Sequence, residues 1–138
     1  MQETTVFFIL IGERYRNMKN LTAVLKTLSD ENRLRIFLML KGRPLCVCEI
    51  YEILDIALST LSQHLRLMKT AGMVSDRKDG RWVIYSLNIE SGMVKRVIDF
   101  LDREIGEDET VVQDRRRVTE ISSEISCAAL HRGKDKRR

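Results

Sequence analysis

The chain is 138 residues long, enough for one folded domain with tails, and it carries a formal net charge of +4. With 43% hydrophobic and 32% charged residues, it is typical of a folded soluble protein rather than a disordered chain. Three cysteines form no even disulfide framework, which argues against a secreted scaffold and favours reduced thiols in the cytoplasm. The mild positive charge permits a nucleic-acid partner without requiring one.

The N-terminal residues 1–17 contain one short apolar run, VFFILI, at positions 6–11. Six apolar residues are too few to span a membrane, and the charged residues that follow do not fit a signal peptide. We therefore expect no membrane partner. We treat residues 1–17 as an N-terminal extension, with Met18 as an alternative natural start.

Apolar residues at helical spacing predict four helices in the first half of the chain. The first covers about 20–28, and SDENR supplies capping residues for a second helix that Gly42 ends. A third is predicted from Cys46 to Leu54. The fourth, STLSQHLRLMKTAG, is the most clearly amphipathic, with leucines on one side and hydroxyl, amide and basic residues on the other.

A change of period follows the fourth helix. Two β-rich runs flank Asp79-Gly80 in MVSDRKDGRWVIYSL, which predicts a β-hairpin. Another amphipathic helix is predicted over about 91–105, so that the folded domain covers 18–105. Residues 106–138 form a polar tail, where apolar positions at helical spacing allow one more helix before a basic, disordered end.

Two short helices followed by a basic hairpin predict a mainly α fold with a β-hairpin wing, a winged helix-turn-helix. A helix fits the major groove, and a basic hairpin can lie along the neighbouring phosphates. The alternative is that these polar and basic residues are only the solvent-exposed faces of a small helical domain. For the histidine of the fourth helix, edge packing or a phosphate contact is favoured over metal ligation. The residues predicted to contact DNA are Ser59, Thr60, Ser62, Gln63, His64, Arg66, Lys69, Arg77, Lys78 and Arg81.

Cys46 and Cys48 are separated by one residue at the predicted start of the third helix. Such a pair suits a soft, thiophilic ion, although lone cysteines are more often small buried hydrophobes. Residues two apart on a helix point about 200° apart. Both sulfurs can therefore bind one ion only if the first turn deforms or Cys46 lies just outside it. A helix N-terminus is also expected to lower a thiol pKa.

The segments LSDENRLRIF, LCVCEI and LSTLSQHLRLMKTAGMVSDRKDGRWVIYSL resemble the arsenical-resistance repressors of the ArsR/SmtB family. The resemblance covers roughly residues 20–105, and the wing resembles the arsenic-sensing branch. It implies a homodimer, joined through the first and last core helices, that binds operator DNA and leaves it when a metal or metalloid ion binds. It implies no enzymatic activity.

This resemblance implies arsenite or antimonite as the inducer, bound at Cys46 and Cys48. Some members have a third cysteine in the same helix, where this chain has Tyr51. The third ligand would then be Cys127 from the tail, a small thiol or water.

Cadmium and lead are alternative inducers. The family's sensors for those ions recruit N-terminal cysteines, which residues 1–45 lack. Its zinc sensors use histidines and carboxylates on the last core helix, where residues 91–105 contain Asp99, Asp102 and Glu104 but no histidine.

Three further alternatives differ in mechanism. Cys46 and Cys48 could form a strained disulfide, which would make the protein a redox-responsive repressor. A thiol-based arsenate reductase would need an arginine six positions after its nucleophile, and no cysteine here has one. A plain dimeric DNA-binding protein without an inducer is the third possibility that the sequence leaves open.

Overall fold

The computed structural model describes residues 18–121. The predicted extension 1–17 and the tail from 122 onward, which includes Cys127, lie outside the described residues. The described chain forms, in order, α1 (Met18–Leu28), α2 (Glu31–Gly42), β1 (Leu45–Cys46), α3 (Val47–Leu54), α4 (Leu58–Thr70), β2 (Val74–Asp79), β3 (Trp82–Leu87), α5 (Gly92–Ile105) and α6 (Glu109–Glu120). The predicted helices and hairpin are all present.

The hairpin belongs to an antiparallel sheet with the order β1-β3-β2. Asp79 pairs with Trp82, so the turn consists of Gly80 and Arg81, one residue later than the predicted Asp-Gly turn. Gly80 has a φ of 60°, which a glycine adopts without strain in a two-residue hairpin loop. Strand β1 was not predicted, because a two-residue strand is too short to show alternation.

Side-chain caps fix where three of the helices begin. Asp30 accepts a hydrogen bond from the backbone N–H of Arg33 and starts α2, as SDENR predicted. Ser91 does the same for α5, and Asp108 for α6. Each cap satisfies backbone donors that the first helical turn would otherwise leave without a partner.

The core lies where α1, α2, α3 and α4 pack together over the sheet. Helices α2, α3 and α4 bury apolar faces at the spacing that the sequence predicted, whereas α1 buries Val24 and Leu28 but leaves Leu21 and Leu25 exposed. Burial of the apolar faces from water is the main source of stability. The fully buried side chains include Ile36 and Phe37 of α2, Ile50 and Ile53 of α3, and Leu61, Leu65 and Met68 of α4.

Helix α6 packs against α2 and α3, so the ordered part of the chain continues beyond residue 105. Val111 and Val118 are buried against this surface. Arg35 of α2 makes a bidentate ion pair with Asp114 of α6, with N···O distances of 2.7 and 2.9 Å. None of the helices within residues 18–121 is both long and apolar enough to cross a membrane.

Candidate DNA-binding surface and thiol turn

Helices α3 and α4 form the helix-turn-helix. Asp55 follows α3 in the left-handed conformation, with a φ of 53°, and this reverses the chain within three residues. Because α4 buries Leu61, Leu65 and Met68, its opposite face must point to solvent. Six of the residues predicted to contact DNA are exposed on α4: Ser59, Thr60, Ser62, Gln63, Arg66 and Lys69.

The wing brings further cations to the same part of the molecule. Arg77 and Lys78 lie near the end of β2, and Arg81 lies in the turn; all three are exposed. Strand β2 also packs against α4. The exposed polar face of α4 and the basic hairpin are thus neighbouring surfaces, which is the arrangement needed to contact a groove and the adjacent phosphates together.

Lys69 is the one predicted DNA contact that is paired with a carboxylate across this junction. Its Nζ donates to Oδ1 of Asp76 on β2 at 2.9 Å, and this hydrogen bond raises the pKa of Lys69. The pair joins α4, the predicted recognition helix, to the wing. It also offsets part of the positive charge that Lys69 would otherwise present to DNA.

His64 lies on the inner edge of α4 and is only 8% exposed. Its Nδ1 is 3.1 Å from Nη1 of Arg33 on α2, whose Nε donates to the carbonyl of Thr27 at the end of α1. Because a guanidinium only donates, Nδ1 must act as the acceptor. This position favours the packing role for His64 over the phosphate contact, and it sets His64 apart from the exposed residues of α4.

Cys46 lies just outside α3, which was one of the two alternatives for the cysteine pair. It has an extended conformation, is 2% exposed and pairs with Ile84 in the sheet. It also takes the Ser/Thr position of a capping box: its side chain accepts from the N–H of Glu49, and Glu49 Oε1 accepts from the N–H of Cys46 at 3.0 Å. We call residues 46–49 the thiol turn.

The prediction of a lowered thiol pKa is wrong for Cys46. Burial raises the pKa of this thiol above its ordinary value, and the charge of Glu49 adds to the effect. Hydrogen bonds from the backbone N–H groups of Glu49 and Cys48 act in the opposite direction and do not outweigh burial. Cys46 therefore holds its proton at neutral pH.

Cys48 lies within the first turn of α3 and is half-buried. It is disulfide-bonded, but not to Cys46, so the structure does not contain the Cys46–Cys48 bond of the redox alternative. Within residues 18–121 no three His, Cys, Asp or Glu side chains form a cluster that could hold a metal ion. The predicted third ligand, Cys127, lies outside those residues.

Two charged residues of this site were not predicted from the sequence: Glu49 within the thiol turn and Arg43 beside it. Glu49 is 4% exposed, and its carboxylate accepts a hydrogen bond from Arg43 Nη2 at 2.6 Å. The spacing of Cys46 and Glu49 is that of a capping box, which was the available signal. It was missed because cysteine rarely stands where serine or threonine is usual.

Comparison with known proteins agrees with the fold. The family described as "Bacterial regulatory protein, arsR family" matches residues 30–76. An arsenic resistance transcriptional regulator of Pseudomonas putida, ArsR1, is 31% identical over 127 residues, covering 85% of this chain and 94% of its own. A cadmium resistance regulatory protein of Staphylococcus aureus, a CadC homolog, is 40% identical over 86 residues, 61% of this chain and 69% of its own.

Among solved structures, HlyU from Vibrio cholerae is similar, with a TM-score of 0.59 and 36% identity over 64% of this chain and 94% of its own. The winged helix-turn-helix prediction is therefore confirmed, and the fold and surface define a DNA-binding transcriptional regulator. The chain belongs to the ArsR family. Members of this family regulate transcription and are not enzymes.

Proposed function

We propose that this protein represses transcription as a homodimer on operator DNA, and that arsenite or antimonite releases it by binding Cys46 and Cys48. The observation that carries the proposal is a Cys-x-Cys pair at the start of α3, the helix that leads into the recognition helix. Thiolates are the ligands that soft ions prefer. Relatives named as arsenic and cadmium regulators support the same class of inducer.

Two exposed apolar surfaces support the homodimer. Helix α1 exposes Leu21 and Leu25, with 44% and 57% of their surface accessible, and α5 exposes Phe100 at 60%. Such side chains at the first and last core helices suit an isologous contact with a second copy. A two-fold dimer would present two α4 helices to two half-sites about one helical turn apart, or a multiple of it. We propose that the protein acts in the cytoplasm, where it has access to operator DNA.

The release mechanism follows from where the two sulfurs lie. Cys46 lies just outside α3, but its thiol is buried and accepts from the N–H of Glu49, so one ion can reach it together with Cys48 only after that cap contact opens. Opening breaks the capping box and moves the start of α3. Because only three residues separate the end of α3 from α4, a shift of α3 also displaces α4. The ion lowers DNA affinity only to the extent that it binds the opened state more tightly.

Arsenous acid suits thiols that are protonated at neutral pH. Each thiol condenses with one As–OH group, so that an As–S bond forms and one water leaves with the thiol proton. Two of the three arsenic positions are then held by Cys46 and Cys48. Cys127, a small thiol or a retained hydroxyl completes the site.

The binding stoichiometry of the fully reduced protein tests this assignment. We expect one arsenic per chain after gel filtration, and loss of binding in Cys46→Ser and Cys48→Ser. Cys127→Ser is the matched control: retained binding would show that Cys127 is not essential. Unchanged binding in both Cys46→Ser and Cys48→Ser would remove the inducer assignment.

A redox response is the second candidate, because Cys48 is disulfide-bonded in the structure. The capping box is intact while Cys48 is bonded in this way, so a redox response would require the Cys46–Cys48 bond, which would open the same turn without an ion. A thiol oxidant should then release DNA from the reduced protein, and a reductant should restore binding. Release of DNA by the oxidant with no response to arsenite would favour this candidate over the first. Release of DNA by cadmium or lead would instead favour one of those ions as the inducer.

A further inference from the structure

We propose that Arg43 is a positioning residue of the thiol site, because it ties the thiol turn to helix α6 and so makes docking of α6 oppose ion capture. This inference rests on the proposed inducer site. It assigns a role to α6, which lies outside residues 30–76, the part that matches the family.

Glu49 holds the thiol turn closed with both of its carboxylate oxygens. Oε1 accepts from the N–H of Cys46 at 3.0 Å, and Oε2 accepts from Nη2 of Arg43 at 2.6 Å. A carboxylate that is 4% exposed requires such partners, because an unpaired buried charge is strongly destabilising. The closed turn and the position of Arg43 therefore depend on each other.

Arg43 also contacts the last turn of α6. Its Nη2 donates to the carbonyls of Val118 and Ile121 at 2.9 and 3.2 Å. These carbonyls lie at a helix C-terminus, where backbone acceptors have no partner within the helix. The same guanidinium thus donates hydrogen bonds both to the carboxylate of the thiol turn and to backbone carbonyls at the C-terminal end of α6.

A second arginine docks α6 onto the other end of α3. Arg117 donates to the carbonyl of Ile53 through Nη1 and to that of Glu52 through Nη2, both at 3.1 Å. Helix α6 is therefore held to the start of α3 through Arg43 and to its end through Arg117. Opening of the first turn of α3 must break or displace at least the first of these connections.

Ion capture and α6 docking are then coupled with opposite sign. When Cys46 and Cys48 turn toward one ion, Glu49 loses the Cys46 N–H and Arg43 loses its fixed acceptor. The end of α6 loosens as a result. Because coupling between two events is reciprocal, weaker docking of α6 must raise the affinity of the thiols for the ion.

Hydrogen exchange of the full-length reduced protein, measured by mass spectrometry with and without arsenite, tests the coupling. We expect arsenite to speed amide exchange in α6 several-fold, while peptides from the buried centre of α2 stay unchanged. Arsenic bound at one per chain with unchanged exchange in α6 would overturn the coupling and leave the inducer site intact. Failure of the wild type to bind arsenic would overturn both.

Arg117→Ala tests the opposite direction, with Arg116→Ala as the matched control. Both remove one exposed arginine from α6, but only Arg117 donates to α3. We expect Arg117→Ala to raise arsenite affinity roughly fivefold, the value of about one hydrogen bond, and Arg116→Ala to leave it unchanged. Equal affinities in the two variants would contradict the proposal.

Arg43→Lys examines the positioning residue itself. Arg43→Ala would leave Glu49 without its cation, and we expect that variant to unfold. Lysine keeps the positive charge beside Glu49 but lacks the planar guanidinium, which donates to several acceptors at once. We expect Arg43→Lys to fold and to bind arsenite more tightly than the wild type, with faster exchange in α6 before any ion is added. A folded variant with wild-type affinity and exchange would show that Arg43 does not position the site.

Discussion

The ammonium group of Lys69 on α4 lies 2.9 Å from a carboxylate oxygen of Asp76 on β2, so an ion pair joins the recognition helix to the wing. Lys69 is 54% exposed, and a pair so close to solvent adds little to stability. Its consequence is electrostatic. One cation of the predicted DNA-binding surface is held by a carboxylate of the same surface before any phosphate approaches.

Asp76→Asn should therefore tighten DNA binding. The change releases Lys69 and removes a negative charge beside the predicted phosphate contacts. We expect higher affinity and a dependence of log K on log salt that is steeper by about one unit. Anisotropy titrations at several salt concentrations measure both quantities. Glu120→Gln, which neutralises an exposed carboxylate at the end of α6, is the control. An equal effect of Glu120→Gln would show that only the net charge matters and not the Lys69–Asp76 pair.

Arg66→Ala and Arg81→Ala should each weaken DNA binding, because one lies on the exposed face of α4 and the other in the turn of the wing. If each contacts a phosphate, the salt dependence should fall by about one unit per variant. Arg116→Ala removes an equally exposed arginine from α6 and should change neither quantity. Wild-type affinity and salt dependence in both variants would mean that this face is not the DNA-binding surface.

His64→Leu should weaken DNA binding without changing its salt dependence. The leucine removes the acceptor of Arg33, so that α4 loses a contact with α2, and we expect the free energy of unfolding to fall by about 1–3 kcal/mol. His64→Asn keeps an acceptor near the position of Nδ1 and should recover much of the loss. A salt dependence that falls by about one unit in the leucine variant would instead identify a phosphate contact.

The pH dependence of inducer binding should distinguish arsenite from cadmium. Because the pKa of Cys46 is raised, its thiol is protonated below that value, and Cd²⁺ must displace the proton. Cadmium affinity should rise about tenfold per pH unit for each proton released. Arsenous acid removes the thiol proton as water, so its affinity should stay nearly constant between about pH 6 and 8. Titrations of the reduced protein across that range measure both, and a tenfold rise per unit for arsenite would contradict this chemistry.

The sequence was sufficient for the winged helix-turn-helix because its signals are local. Asp30 is the cap that SDENR predicted, and Leu61, Leu65 and Met68 face inward as their spacing required. Arg66 and Arg81 are exposed for the same reason, since a helix or hairpin with one apolar side must expose the other. Such features need only the period of the chain.

The contacts that control the thiol turn could not be predicted because they are non-local. The raised pKa of Cys46 follows from its burial within the sheet, where it pairs with Ile84, and no pattern around residue 46 reports that burial. The contact of Arg33 with His64 spans 31 positions, and that of Arg43 with Val118 spans 75. Only the packed structure brings such pairs together.

The most direct test of the central claim is release of DNA by arsenite. A labelled duplex, selected from a random library by the reduced protein, is bound by wild type and by Cys46→Ser, and anisotropy is followed as arsenite is added. We predict that both proteins bind the duplex and that arsenite releases only the wild type. Equal release of both proteins, or tight binding of the wild type that arsenite does not alter, would contradict the account.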